Sequence, residues 1–340
     1  MRSVTLAFLL PLGLLAATPA AAEPVPVPAP ACTITDPRLG ELSGLVADDE
    51  HWYAMNDGGT AAKVYVLGKD CQVQDVITGG TDPYDVEDLA RGADGTFWLS
   101  DTGDNDADRE TVALISLTPD GSSAIHRLTY PDGKHDAEAL LLDGAGTPYV
   151  ISKSPLGTSE VYRPAAPLAS PGPTALEHVA TVRLTSTDTP GGPVPGIVGS
   201  VTVTGAAASA DGTAIALRTY TDAYLFPVTG GDVVAAFSAK PVRVPLPNEA
   251  QGEAIAFQPD GSLISGSEGV GEPINVVPGA AALVAPKPPP SKEKPASASK
   301  VSAAPVTGEG LPAIPAAVVT IIAVAGVYLL FRWMRRRRTN

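Results

Sequence analysis

The pattern in EDLARGADGTFWLSD, residues 87–101, recurs along the chain and indicates its fold. It starts with a short run at Glu87, turns at Asp94-Gly95 and continues with a second run that ends at the polar Asp101. Short β-prone runs separated by an Asp-Gly turn are typical of neighbouring antiparallel strands. This stretch therefore predicts two strands of one antiparallel sheet.

The same unit occurs five times. Each copy has a turn seven residues after its start and a second run that ends 14 or 15 residues after the start. The copies start at Ser43, Glu87, Glu138, Thr204 and Glu253. Their spacings of 44, 51, 66 and 49 residues, with about four strands in each interval, are typical of β-propeller blades. The sequence predicts an all-β protein with a β-propeller at residues 32–279, preferably five-bladed, and a sixth blade in the longest interval is the alternative.

The composition agrees with this fold and excludes two classes of protein. Gly and Pro each account for 34 of the 340 residues. Because a Pro inside a helix costs about 3 kcal/mol, a mainly helical protein is excluded. The formal net charge is −14, and no basic stripe interrupts the acidic body. An acidic surface repels phosphate backbones, so nucleic acid is excluded as a partner.

Both ends of the chain predict interaction with a membrane. Residues 1–22 combine a basic start, an apolar core and small residues at the end, which is typical of a cleaved signal peptide. Residues 312–331 carry no charge and can span about 30 Å of hydrocarbon, and the basic tail 332–340 follows them. We expect a single-pass protein of the cell membrane, with its N-terminal domain outside and its C-terminus in the cytoplasm. Residues 280–310, rich in Pro, Ala, Ser and Lys, predict an extended linker.

The two cysteines predict how the ring closes. The last repeat is one strand short, and the segment from Cys32 to Thr35 is expected to supply the missing outer strand. An even number of cysteines in a secreted chain favours a disulfide. Cys71 is predicted at the outer strand of the first blade, next to Cys32, so a bond between them would lock the seam.

The repeat also predicts a charged site at one mouth of the central channel. In antiparallel strands, the start of the first lies beside the end of the second. The charged residues at these positions are Asp57, Glu87, Asp101, Glu138, Lys153, Arg218, Glu253 and Glu268. Such residues either bind a ligand or neutralise one another as structural ion pairs. For Arg218 we favour the ligand role, because its partner in the repeat is the uncharged Thr204.

A second candidate site is the acidic run at residues 101–110. Its oxygen ligands at alternate positions suit Ca²⁺, which accepts about six to eight oxygens. The candidate ligands are Asp101, Asp104, Asp106 and Asp108. A solvated acidic loop with Arg109 as its counter-ion is the favoured interpretation. The sequence has no Gly-x-Ser-x-Gly motif, and its four His residues lack the spacing of a zinc site.

Four segments carry a family resemblance: residues 98–109, 135–153, 216–220 and 251–269. They resemble segments of secreted actinobacterial β-propeller proteins and, more distantly, of the phytase-like family with esterase-like activity. The resemblance implies a propeller with a polar central site and metal-dependent hydrolysis of phosphoesters or esters. This chain departs from propeller phytases in having few basic residues to hold a polyphosphate, which argues against phytate cleavage.

Two functions remain open from the sequence. The first is a membrane-anchored extracytoplasmic module that binds a protein or a cell-envelope ligand at its charged mouth. The second is a metal-dependent hydrolase in which four carboxylates bind a cation or water, while Lys153 and Arg218 hold an anionic group. The four carboxylates are Glu87, Asp101, Glu138 and Glu253. The missing nucleophile motif favours the first function, and the density of carboxylates favours the second.

Overall fold

The structure is a computed structural model that describes residues 25–194 and 196–285. This part of the chain is all-β, as predicted, with twenty strands, the short helices α1 (Ile197–Val201) and α2 (Val233–Ala236), and two 3-10 turns. No helix within it is long and apolar enough to cross a membrane. The predicted signal peptide, most of the predicted linker, the transmembrane helix and the basic tail lie outside the described residues.

The twenty strands are short and follow one another closely. In chain order they begin with β1 (Ala29–Thr33), β2 (Leu42–Ala47), β3 (Trp52–Asn56), β4 (Lys63–Leu67), β5 (Val73–Thr78), β6 (Asp88–Arg91), β7 (Phe97–Asp101), β8 (Val112–Leu117), β9 (Ser123–Thr129) and β10 (Ala137–Leu142). They continue with β11 (Pro148–Ser152), β12 (Thr158–Pro164), β13 (Thr174–Arg183), β14 (Val203–Ala208), β15 (Ala214–Thr219), β16 (Asp222–Pro227), β17 (Val242–Pro245), β18 (Gly252–Phe257), β19 (Leu263–Ser267) and β20 (Pro273–Val277).

The strands form five antiparallel units of four. Units 1 to 4 are β2–β5, β6–β9, β10–β13 and β14–β17, and unit 5 is β18–β20 completed by β1. A short parallel pairing of β9 with β13 joins units 2 and 3 at their outer strands. Because β1 pairs with β20, the N-terminal segment supplies the strand that unit 5 lacks, as expected.

The first strands of the five units surround a common axis. Each contacts the first strand of the next unit, and the series β2, β6, β10, β14, β18 returns to β2. Five clusters of buried hydrophobic side chains occupy the described residues, one between each pair of neighbouring units. Burial between facing sheets and a closed series of inner strands make the fold propeller-like.

The seam between units 5 and 1 carries the predicted disulfide. Cys32 on β1 is bonded to Cys71, which lies in the turn between β4 and β5. The prediction is confirmed, and the bond closes a loop with a sequence separation of 39 residues. On the chain-entropy account, a loop of this size stabilises the fold by about 3–4 kcal/mol.

A buried carboxylate ties three inner strands together. The side chain of Asp88 on β6 accepts hydrogen bonds from the backbone N–H groups of Leu89 (2.8 Å), Leu140 (2.8 Å) and Ala206 (3.0 Å). Burial raises the pKa of Asp88 well above its usual range, although the three N–H donors act in the opposite direction. Asp88 thus links units 2, 3 and 4 at the start of β6.

Candidate functional site

The starts of the inner strands and the ends of their neighbours meet at one end of the ring. We call the charged cluster there the acidic mouth. It comprises Asp57, Asp85, Glu87, Asp136, Glu138, Lys153, Glu253 and Glu268. Six of these residues were predicted from the repeat, and Asp85 and Asp136 were not. The acidic mouth thus contains seven carboxyl groups and one amino group.

Irregular pairing at the strand starts creates this convergence. In four units the register shifts by one residue at the beginning of the inner strand, and the extra residue is Ser43, Glu138, Thr204 or Glu253. A bulge of this kind re-aims a side chain and is common beside functional sites. Two of the four extra residues have structural roles, since the hydroxyls of Ser43 and Thr204 donate to backbone carbonyls of the next unit.

Two overlapping groups of carboxylates lie close enough to hold a cation. One oxygen from each of Asp57, Asp85 and Glu87 lies within 4.8 Å of the others, and the same holds for Glu87, Asp136 and Glu138. Glu87 belongs to both groups. Hard cations such as Ca²⁺, Mg²⁺ and Mn²⁺ prefer oxygen ligands of this kind.

The pairing of Glu138 is incomplete. Lys153 donates a hydrogen bond to Oε1 of Glu138 and lies 4.0 Å from Asp136. Oε2 of Glu138 is buried and has no hydrogen-bond partner among the residues that the structure describes, and the whole residue is only 4 % exposed. An unpaired buried acceptor is costly. The geometry therefore leaves one oxygen of Glu138 free to take a ligand.

Burial and mutual repulsion make the carboxyl groups of the mouth hard to ionise. Burial, followed by the charge of Glu138, raises the pKa of Glu87 to about 10 and that of Glu253 to about 9. Burial also raises the pKa of Glu138 to about 7, although Lys153 acts against the shift. Burial and the neighbouring Asp85 raise the pKa of Asp57 to about 6. Protons or cations must therefore compensate this cluster.

One glycine allows the carboxylates to pack this closely. A Cβ atom at Gly103 would overlap Oε1 of Glu87 and Oδ2 of Asp85. The backbone of Gly103 in turn donates to the carbonyl of Asp85 at 3.2 Å. The mouth has two further hydrogen bonds, which the side-chain amide of Gln251 donates to Glu253 and to Glu268.

The structure does not bring together the four carboxylates of the acidic loop that the sequence analysis considered as calcium ligands. Asp101 is buried, and it accepts hydrogen bonds from Arg109 (2.9 Å) and from the backbone N–H of Asp85 (3.0 Å). Asp104 accepts from the backbone of Asp108 at 2.8 Å and of Arg109.

The remaining two candidate ligands of that loop, Asp106 and Asp108, are exposed. The four carboxylates do not converge because the loop folds around Asp104 and Arg109 neutralises Asp101. The counter-ion role expected for Arg109 agrees with this structure. Asp101 instead positions Asp85 for the mouth.

Arg218 also lies elsewhere than predicted. It is fully buried, donates to the carbonyls of Ala254 (2.8 Å) and Gly266 (3.0 Å), and forms an ion pair with Glu249. Glu249 lies in the loop that precedes β18, in the neighbouring unit, so the pairing within one repeat could not reveal it. The ligand role favoured for Arg218 is therefore corrected to a structural one.

A short sequence signal could have located the missed carboxylates. Asp85 and Asp136 each stand two residues before a glutamate of the mouth, in the strings DVE and DAE, and Gln251 has the same place before Glu253. Residues that alternate along an extended segment point to the same side, so both members of each pair reach the mouth.

Tyr220 also borders the mouth, and burial followed by the charge of Glu138 raises its pKa.

This chain is only weakly similar to known proteins. No protein-family model and no curated protein matches the chain. Among solved structures, a glucose dehydrogenase is similar at 11 % identity and a TM-score of 0.45, over 74 % of this chain and 99 % of that one. A luciferin-regenerating enzyme is similar at 14 % identity and a TM-score of 0.41, over 70 % and 78 %. The virginiamycin B lyase of Staphylococcus aureus is similar at 12 % and 0.37, over 69 % and 66 %.

Proposed function

We propose that this protein is a divalent-cation-dependent hydrolase of esters or phosphoesters, with its active site at the acidic mouth. Glu138 carries the proposal, because its buried Oε2 has no partner among the described residues and because Glu138 forms a group of three carboxylates with Glu87 and Asp136. A buried carboxylate oxygen without a hydrogen bond needs a proton or a cation, and two further carboxylates within reach favour the cation. Bound there, a divalent cation would polarise the scissile group and acidify water.

The residues around the cation site suit an acid and a base. Asp57, with a pKa of about 6, is ionised at neutral pH and can accept the proton of an attacking water. Glu253, with a pKa of about 9, is protonated and can donate to the leaving oxygen. Water forms the new bond to the acyl carbon or phosphorus, the bond to the leaving alcohol breaks, and both carboxyl groups return to their starting states by proton exchange with solvent.

The test is hydrolysis of ester and phosphoester panels by the full chain with Ca²⁺, Mg²⁺ or Mn²⁺ and with EDTA. We expect activity that EDTA abolishes and that Glu87→Gln lowers by about 100-fold. A carboxylate base and a carboxylic acid in the same mouth predict a bell-shaped dependence of the rate on pH. The matched control is Glu50→Gln, an exposed glutamate at the opposite end of the ring, which should keep full activity. Hydrolysis that EDTA does not affect, or no hydrolysis with any of the three cations, would contradict the proposal.

Three finer features belong to the same proposal. The five units are the blades of a closed five-bladed propeller, which the contact series of the inner strands supports. The propeller stands outside a cell membrane on a single C-terminal helix, for which the apolar run 312–331 and the basic tail are the support. A cell-envelope molecule is then the partner or substrate within reach.

A further inference from the structure

Exposed hydrophobic side chains of the described residues are concentrated at one end of the ring. Six large ones are exposed, and five of them lie in the connections between strands at the end that carries the acidic mouth, with Ile197 at the start of α1. We call these five residues the apolar rim: Tyr84 (74 % exposed), Leu156 (88 %), Val194 (46 %), Ile197 (67 %) and Val270 (56 %). The sixth, Val27, precedes β1, whose first residue pairs near the end of β20 and so lies toward the opposite end.

Each loop of the rim also carries or supports a group of the mouth. Tyr84 directly precedes Asp85, and its ring lies 4.7 Å from the guanidinium of Arg109. Leu156 follows Lys153 by three residues, and Val270 follows Glu268 by two. The loop of Val194 and Ile197 lies close to Tyr220 at Gly192. Single exposed hydrophobic residues are ordinary, but their restriction to one end, around one charged cluster, indicates a surface for an apolar ligand.

The charges of the mouth restrict what can enter between these side chains. Seven carboxyl groups face one amino group there, and Arg218, the second cation expected from the sequence, is buried in the ion pair with Glu249. Protons and a bound cation offset part of this charge, and the carboxyl groups that stay ionised repel a polyanionic substrate but not an uncharged ester. Apolar groups on such an ester gain free energy by covering exposed hydrophobic area.

From these observations we infer that the substrates are uncharged carboxylic esters with bulky apolar groups, which the apolar rim holds while the scissile carbonyl reaches the acidic mouth. This inference rests on the proposed function and narrows it from esters and phosphoesters to one class. The rim is then the part of the molecule that determines specificity.

The experiment compares p-nitrophenyl acetate, butyrate and octanoate with p-nitrophenyl phosphate, using the full chain and the cation that supports activity. We expect kcat/KM for the octanoate to exceed that for the acetate by about tenfold or more, and the phosphate to be the poorest substrate. The double variant Leu156→Ser with Ile197→Ser should lose this preference, mainly through a higher KM for the octanoate. Val27→Ser is the matched control, because it removes an equally exposed hydrophobic residue outside the rim.

Binding of hexyl p-nitrophenyl ether, which cannot be hydrolysed, provides a second readout that does not depend on catalysis. We expect the double variant to bind it more weakly by about fivefold, and Val27→Ser to bind it as the unmodified chain does. Equal rates for acetate and octanoate, or ether binding that the double variant does not weaken, would overturn the inference and leave the proposed hydrolase intact. Ether binding at the rim without hydrolysis of any ester would instead overturn the proposed hydrolase and keep the rim as an apolar binding surface.

Discussion

Two buried ion pairs of this ring differ in how completely they are surrounded by partners. In the pair between units 4 and 5, Glu249 accepts from Arg218, Ser265 and Asn275, and both of its oxygens are used. In the pair at the acidic mouth, Lys153 binds one oxygen of Glu138 and the other oxygen has no partner. In the first pair both carboxylate oxygens have partners among the described residues, although Nε of Arg218 has none, whereas in the second pair one carboxylate oxygen stays open.

The chemistry of the two cations explains this difference. Arg218 has a planar group with five N–H donors and reaches two backbone carbonyls as well as Glu249. Lys153 is a compact charge that can neutralise only a part of its acidic surroundings, and the Glu138 carboxylate raises its pKa despite partial burial. The number of partners around each carboxylate, more than burial alone, separates a structural pair from a binding group.

The largest expected effect is the loss of Arg218. Arg218→Ala leaves Glu249 buried without its counter-charge, so the free energy of unfolding should fall by about 3–5 kcal/mol. Lys153→Ala should cost clearly less, since Glu138 can be compensated by a proton or a cation. Urea unfolding of both variants measures this difference. Equal losses in the two variants would mean that the pairs are alike and that the comparison fails.

The next effect is the pH dependence of the free energy of unfolding, which the carboxyl groups of the acidic mouth cause. In the cation-free protein, Glu87 and Glu253 hold protons up to a pKa of about 10 and about 9, whereas the unfolded chain releases them near the ordinary value of 4.5. Unfolding then releases protons, so stability is highest at low pH and falls as pH rises. We expect the free energy of unfolding to decrease continuously between about pH 5 and pH 9.

Adding the activating cation should flatten this pH dependence, because it compensates the ionised carboxylates. Glu87→Gln should weaken the pH dependence in the cation-free protein, since its amide does not titrate. Thermal melts across the pH range, with EDTA or with cation, measure both effects. Stability that rises with pH in EDTA would show that the mouth is already compensated by the protein itself.

A smaller effect is expected from the open oxygen of Glu138. Glu138→Gln keeps the size of the side chain but removes its charge, so cation affinity should fall by about tenfold or more, which corresponds to about 1.4 kcal/mol. Calorimetric titration with Ca²⁺ and Mn²⁺ measures the change, and Glu50→Gln is again the control. Unchanged affinity would place the cation elsewhere or show that the mouth binds none.

The smallest effect is expected in the acidic loop. Asp106→Asn combined with Asp108→Asn should leave cation affinity within about twofold, because both side chains are exposed and lie outside the two carboxylate groups of the mouth. The same titration decides the question. Loss of cation binding in this variant would show that the acidic loop, and not the acidic mouth, binds the cation.

Much of the mouth was predictable because its residues follow the repeat. Glu138 and Lys153 are 15 residues apart, on two adjacent strands joined by a turn, and local pairing alone brings them together. Asp85 and Asp136 were missed although they repeat too, since only the first residue of each unit was considered. Arg218 was misplaced for a different reason, because its partner Glu249 belongs to the next unit and lies 31 residues away along the chain.

Strand periodicity and turn residues act over short distances, so the all-β fold, the repeating strand pairs and the seam between Cys32 and Cys71 follow from the amino-acid sequence. Which carboxylates are neutralised and which remain open follows from the folded arrangement instead. That outcome depends on the distances and burial of side chains contributed by different units, and electrostatic interactions change steeply with both. Glu249 and Glu138 are both buried glutamates paired with a cation, and their surroundings in space alone give one a structural role and the other a ligand position.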